Sequence, residues 1–115
     1  MIINWDTVKI YIKPGYVDFR KQINGLSIIA LNQMKKDIFS GAFFIFASRD
    51  RKKLKILYWD KNGFCLWLKR LEKDKFPWPD TKEDAIHLSF ERFKMLLEGI
   101  DFFNTFKELK YSKIY

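Results

Sequence analysis

Four consecutive residues, Asp60-Lys61-Asn62-Gly63, constrain the fold of this chain more than any others. Asp at the first position and Gly at the last suit a tight chain reversal, and Gly63 can take positive φ. The flanking runs 53–59 and 64–70 are rich in aliphatic and aromatic residues, so the three segments together read as a β-hairpin. Residues 42–47 form an apolar, Phe-rich run of strand length that suits a buried central strand. Charged turn candidates at 49–52 and 72–75 then separate strands near 42–48, 53–59, 64–70 and 75–78. Sequential strands pair antiparallel by default, which predicts a meander. Residues 8–13 alternate apolar and polar side chains and stop at Pro14-Gly15, giving a further short strand.

Two helices are expected beside this sheet. In 24–36, Leu26, Ile29, Ala30 and Met34 recur near helical spacing, with Asn24 as N-cap and Lys35 and Lys36 at the C-terminal end of the dipole. In 90–98, Ser89 caps, Glu91 lies in the first turn, Gly99 terminates, and Phe93, Leu96, Leu97 and Ile100 share a face. The expected class is α+β: one domain, an antiparallel meander of about four to five strands, with the two main helices packed on one face.

Apolar residues make up 48% of the 115 residues and aromatics 18%, too much burial-prone surface for a disordered chain. No Pro-, Gly- or Ser-rich linker divides it, so residues 1–101 are expected to be one domain and 102–115 a partly helical or flexible extension. No stretch approaches the ~18 apolar residues of a membrane span, and the first residues lack a signal-peptide pattern. A soluble, cytoplasmic protein with no membrane partner is expected, nucleoid-associated where it meets DNA. Cys65, the single cysteine, fits a reducing compartment.

The formal net charge is +8, and ten basic residues against four acidic ones, a net of +6, fall within residues 49–75. A polyanion is the partner class such charge favours. A hairpin loop of three to five residues would point Leu54, Ile56, Tyr58, Leu66 and Leu68 to one side and Lys53, Lys55, Leu57, Trp67 and Lys69 to the other. The second side would be cationic with an aromatic set into it, a recurrent way of holding nucleic acid. The alternative has Leu57 and Trp67 under a second layer while the lysines snorkel to water. A shift of one residue would exchange the two faces.

Catalytic constellations are missing from the sequence. His87, the only histidine, sits in Ala85-Ile86-His87-Leu88, where a partly buried, hydrogen-bonded imidazole is expected rather than a general base. No GxSxG, GxxxxGK[ST], HExxH or CxxC occurs. Asp18, Asp60, Glu98 and Asp101 qualify as metal ligands by type only, and each suits a turn or helix end. No catalytic residue, metal or cofactor is expected.

Three blocks carry a family resemblance: 18–26, then 39–79 with its WD-x-x-GF, KRLE and Trp78-Pro79 motifs, and 88–101 with LLEGID. Residues 18–101 resemble the TnpB-type accessory protein, the second open reading frame product, of bacterial IS66-family insertion sequences. The resemblance implies a role in transposition beside a separate transposase that carries the strand-transfer chemistry, and beside a second small accessory protein. Matching positions include Asp18, Arg20, Lys21, Gly25, Lys55, Trp59, Asp60, Gly63, Lys69, Arg70, Glu72, Trp78 and Pro79. The longer Lys- and aromatic-containing tail after Asp101 departs from the pattern. Charge and resemblance together predict binding to transposon-end DNA through Arg20, Lys21, Arg49, Arg51, Lys52, Lys53, Lys55, Lys69 and Arg70, with Trp67 stacking. The alternative is a protein-interaction adaptor that docks on the transposase or the second accessory protein through Leu96, Leu97, Phe102, Phe103 and Phe106.

Overall fold

A Phe-Phe-Ile-Phe-Ala run offers an apolar side chain to both faces of a strand, and it takes the middle of the sheet. In the computed structural model, which describes residues 3–99, this strand, β2 (Phe43–Ala47), is buried at every position. The other elements are β1 (Ile10–Ile12), α1 (Ile23–Asn32), β3 (Lys53–Asp60), β4 (Gly63–Arg70), β5 (Ile86–Leu88) and α2 (Phe90–Leu97). The five strands form one sheet in the order β4-β3-β2-β1-β5.

This sheet is mixed, which corrects the expected all-antiparallel meander. β1 and β2 are adjacent and parallel, with Tyr11 beside Phe44, and α1 makes the crossover between them. A helix returns the chain to the end of the sheet from which it left, so the next strand enters parallel. The remaining pairs are antiparallel.

The helices lie on opposite faces, a second correction. On one face Ile10, Phe43, Ile45, Leu54, Ile56 and Leu88 pack with Phe93 and Leu96 of α2. On the other, Phe44, Phe46 and Leu57 pack with Leu26, Ile29 and Ala30 of α1. Central strands that are apolar on both sides need a cover on each, and a single layer of helices would leave one face in water.

Residues 75–78 form no strand. Pro77 and Pro79 have no N–H to give a ladder, and the segment buries Phe76 and Trp78 instead. The Trp78 indole Nε1–H donates to the carbonyls of Lys13 and Gly15 at 3.0 and 2.7 Å. The remaining edge is taken by β5, with His87 opposite Tyr11. The N-cap of α1 is Gln22, two residues before the expected Asn24, no side chain caps it, and the helix ends at Asn32, short of the expected Lys36. α2 matches its signals: Ser89 Oγ accepts the Arg92 N–H at 3.2 Å and Gly99 leaves the helix at φ +79°.

The hairpin turns within two residues, Lys61 and Asn62, because Asp60 already pairs with Gly63. The left-handed residue is Lys61 (φ +51°), whereas Gly63 is not left-handed. This shorter loop sets Leu54 opposite Lys69, Ile56 opposite Trp67 and Leu57 opposite Leu66. Trp67 and Lys69 therefore share a face with Leu54, Ile56 and Tyr58, while Leu66 and Leu68 join Lys53, Lys55 and Leu57. One residue of register exchanges a strand's faces, and here it separates the expected cationic set.

Candidate nucleic-acid interface

With both faces of the central strands buried, most of the cations are displaced to the ends of the sheet. The carboxyl ends of β1, β2 and β4 and the start of β3 share one end, since Lys53 pairs with Arg70 and Leu54 with Ala47. Lys13, Arg20, Arg49, Arg51, Lys52, Lys53, Lys69 and Arg70 gather there. The nearby carboxylates are largely engaged. Asp18 pairs with Arg20 at 2.7 Å, and Glu72 with Arg70 at 2.8 Å. The Arg20 hydrogen bonds hold the Asp18 carboxyl down to a pKa of about 2. Asp80 lines the groove beside Lys13.

The turn between β2 and β3 at this end is closed by a set of hydrogen bonds. Asp50, itself exposed, bonds within the loop: its Oδ1 accepts the Ser48 hydroxyl at 2.7 Å and the Lys52 N–H at 3.0 Å. Those two bonds lower its pKa, the Ser48 hydroxyl most. The Lys53 N–H donates to Ser48 Oγ at 3.1 Å, and the Arg51 N–H to the Ser48 carbonyl at 3.0 Å. The single acid is thus used to shape a loop from which Arg49, Arg51 and Lys52 project, all exposed. Arg51 is held at φ +61° to do so.

The remaining predicted residues divide. Lys53 is half-buried at the start of β3. Lys55 is only 5% exposed, with its Nζ donating to the carbonyls of Phe19 and Lys21 at 2.9 and 2.8 Å and lying 4.9 Å from the Phe19 ring centroid. It is a structural cation that ties the loop before α1 to the sheet. Lys69 Nζ donates to the Leu97 carbonyl at 2.6 Å, closing the C-terminus of α2. Trp67 stands on the α2 face with its ring edge-on to Tyr58, centroids 5.9 Å apart. Lys21 is exposed, and its alkyl chain runs beside Gly25. Of the expected sheet face, Trp67 therefore keeps only Lys69 beside it, while Lys53 and Lys55 lie on the other side.

Other expectations also move. His87 is exposed on the edge strand, its ring 5.5 Å from that of Tyr11, and not partly buried. Leu96 is fully buried, which removes it from the expected docking surface, Leu97 is half-buried, and Phe102, Phe103 and Phe106 lie outside the described residues. Asp101 lies outside them too. Among the described residues no three His, Cys, Asp or Glu side chains are grouped to hold a metal. No helix among them is long and apolar enough to cross a membrane.

Sequence reasoning missed Tyr16 and Lys13. Tyr16 is 60% exposed between two grooves of about 500 and 750 Å³. Arg49, also in the wall of both grooves, lies with its guanidinium carbon 5.9 Å from the ring centroid. An aromatic directly after Pro14-Gly15 was the available signal, because a turn is the one place where such a ring is not expected to be core.

The comparisons with known proteins agree with the motif reading. The family model described as IS66 Orf2-like protein matches residues 8–107, which takes in β1 as well as the three motif blocks. Uncharacterized protein y4jC of Sinorhizobium fredii is 35% identical over 94 residues, covering 82% of this chain and 80% of that protein. Uncharacterized protein y4hO of the same organism is 32% identical over 101 residues, covering 88% of each. No solved structure matches. The chain belongs to the IS66 Orf2-like family, accessory proteins of insertion-sequence transposition.

Proposed function

We propose that this protein is a non-enzymatic DNA-binding accessory factor that works with the transposase of its element and grips phosphates through the basic end of its sheet. The observation that carries the reading is the loop at 48–53. Its one acid is engaged by two hydrogen bonds within the loop while Arg49, Arg51 and Lys52 stand exposed around it. Arg49 lies over the Tyr16 ring, all three side chains stay exposed, and cations presented on a shaped loop suit phosphates. Arg20, Lys53 and Arg70 extend the surface on either side. Lys55, Lys69 and Trp67 are released from the binding set by their contacts.

The test is binding to labelled terminal-repeat duplex beside a scrambled duplex, across a salt series, with and without transposase. Each phosphate neutralised adds about 0.9 to the magnitude of the log–log salt slope, so four contacts predict a slope of about −3.6. An affinity that does not change between low and moderate salt removes the mechanism.

The open edge of β4 favours a second reading, an adaptor that assembles the transposase complex. Trp67 and Leu68 are 45% and 61% exposed on the two faces of that edge strand, and such edges accept partner strands. Transposase that co-purifies after nuclease treatment, and is lost with Leu68→Lys, supports it.

A further inference from the structure

We infer that Tyr16 is a stacking platform for an unpaired base, so that the basic end takes single-stranded or locally opened DNA in preference to closed duplex. The inference rests on the DNA-binding reading and deepens it.

The ring is exposed although its backbone is firmly held. On one side of it the Gly15 N–H donates to the Pro79 carbonyl at 3.0 Å, and the Gly15 carbonyl accepts the Trp78 indole N–H at 2.7 Å. On the other side the Val17 N–H donates to the Ala47 carbonyl at 3.0 Å, and the Val17 side chain is buried. Gly15 at φ +75° makes the bend between these anchors. A loose loop would let a tyrosine fold onto the surface. This loop holds it out at 60% exposure and forgoes the burial an aromatic of that size normally gains.

The surroundings match what a single strand needs. Tyr16 and Arg49 together stand between the two grooves, so a base laid on the ring has cations on both sides of it. Lys13 and Arg51 line one groove, and Lys53 and Arg20 the other. Asp80, Asp18 and Asp50 also line them, the last two already hydrogen-bonded to Arg20 and Ser48. Stacking on an aromatic with phosphates held along a cationic groove is how proteins bind unpaired strands without reading sequence. In a closed duplex the base faces are covered by their neighbours, and a side chain at the rim reaches phosphates only. Cations alone would serve for duplex, and the ring would then be idle.

Fluorescence anisotropy with a labelled ~16-nucleotide mixed-sequence strand and its duplex tests this on the full chain. The variants are Tyr16→Ala, Tyr16→Leu, Tyr16→Phe and, for comparison, Trp67→Ala. Tyr16→Ala and Tyr16→Leu are expected to weaken strand binding about tenfold, with duplex affinity and both salt slopes unchanged. Tyr16→Phe should keep the strand affinity, as should Trp67→Ala. Melting temperatures close to the parent's show that the loop has kept its fold, and the Leu variant preserves bulk there without a stacking face. Unchanged strand binding in both Tyr16→Ala and Tyr16→Leu, or equal losses for strand and duplex, overturns the inference while leaving DNA binding intact. A parent protein that binds neither form overturns both readings.

Discussion

Lys55 illustrates why a residue's type is a poor guide to its role. In sequence it belongs to an alternating lysine strand and looks like a phosphate contact. In the fold its ammonium is buried against two carbonyls more than 30 residues away along the chain. Burial lowers its pKa, and Lys53 nearby lowers it further. A lysine whose folded pKa lies below its unfolded one binds more protons when unfolded, so stability rises with pH between the two values. Tyr58 acts the other way: burial raises its pKa to about 12, so its contribution is lost as pH climbs from 10.0 towards that value. Comparing the parent with Lys55→Met isolates the lysine. The variant leaves the Phe19 and Lys21 carbonyls without their donor and should lose about 1–3 kcal/mol at neutral pH. Urea denaturation measures this. The parent's advantage should then grow as pH approaches 10.5, the ordinary lysine value; a difference that is flat or shrinking would contradict the burial argument.

The β2–β3 turn makes the same point for elements, because it can be tested for stability and binding together. Arg51 sits at φ +61°, a conformation that costs an L-residue about 1–2 kcal/mol and glycine almost nothing. A sequence shaped only for folding would favour glycine there. Arg51→Gly should therefore raise the melting temperature, by up to about 1 kcal/mol of stability after the glycine's greater unfolded-state freedom is counted. It should also reduce the log–log salt slope of DNA binding by about 0.9. Opposite signs in the two measurements mark a residue kept for contact. A binding curve that does not move makes the strain at Arg51 unrelated to DNA. The elements that were legible in sequence are those whose signals are local. Ser89, Glu91 and Gly99 define α2, and the apolar run at 42–47 gives β2. β5 has three residues and acquires its identity only by pairing with β1. The hairpin was legible in place but not in register: the choice between a two-residue and a longer loop rests on Lys61 accepting positive φ, which lysine does not advertise.

At the scale of the molecule, charge is sorted by the ends of the sheet and not by its faces. The excess of basic residues within 49–75 was readable, but its position depends on layering. Two helices cover two faces, and the charged side chains that remain free collect where strands turn. The motif blocks pointed to the family, while the parallel β1–β2 pair that sets the geometry of the basic end depends on a crossover no motif records. Two double variants separate an end from a bulk charge, since each lowers the formal +8 by the same amount. Arg49→Gln with Lys52→Gln strips the loop at the basic end. Lys9→Gln with Lys61→Gln strips the opposite end, where Lys9 precedes β1 and Lys61 turns the hairpin. If phosphates are held at the basic end, the first pair should lower the salt slope for duplex by about 1.8 and the second should leave it unchanged. If only net charge attracts the polyanion, the two should behave alike, because steering by a global field depends on total charge more than on its address. Matching slopes from the two variants would therefore return the charge to a bulk property and withdraw the interface, whatever the affinity of the parent.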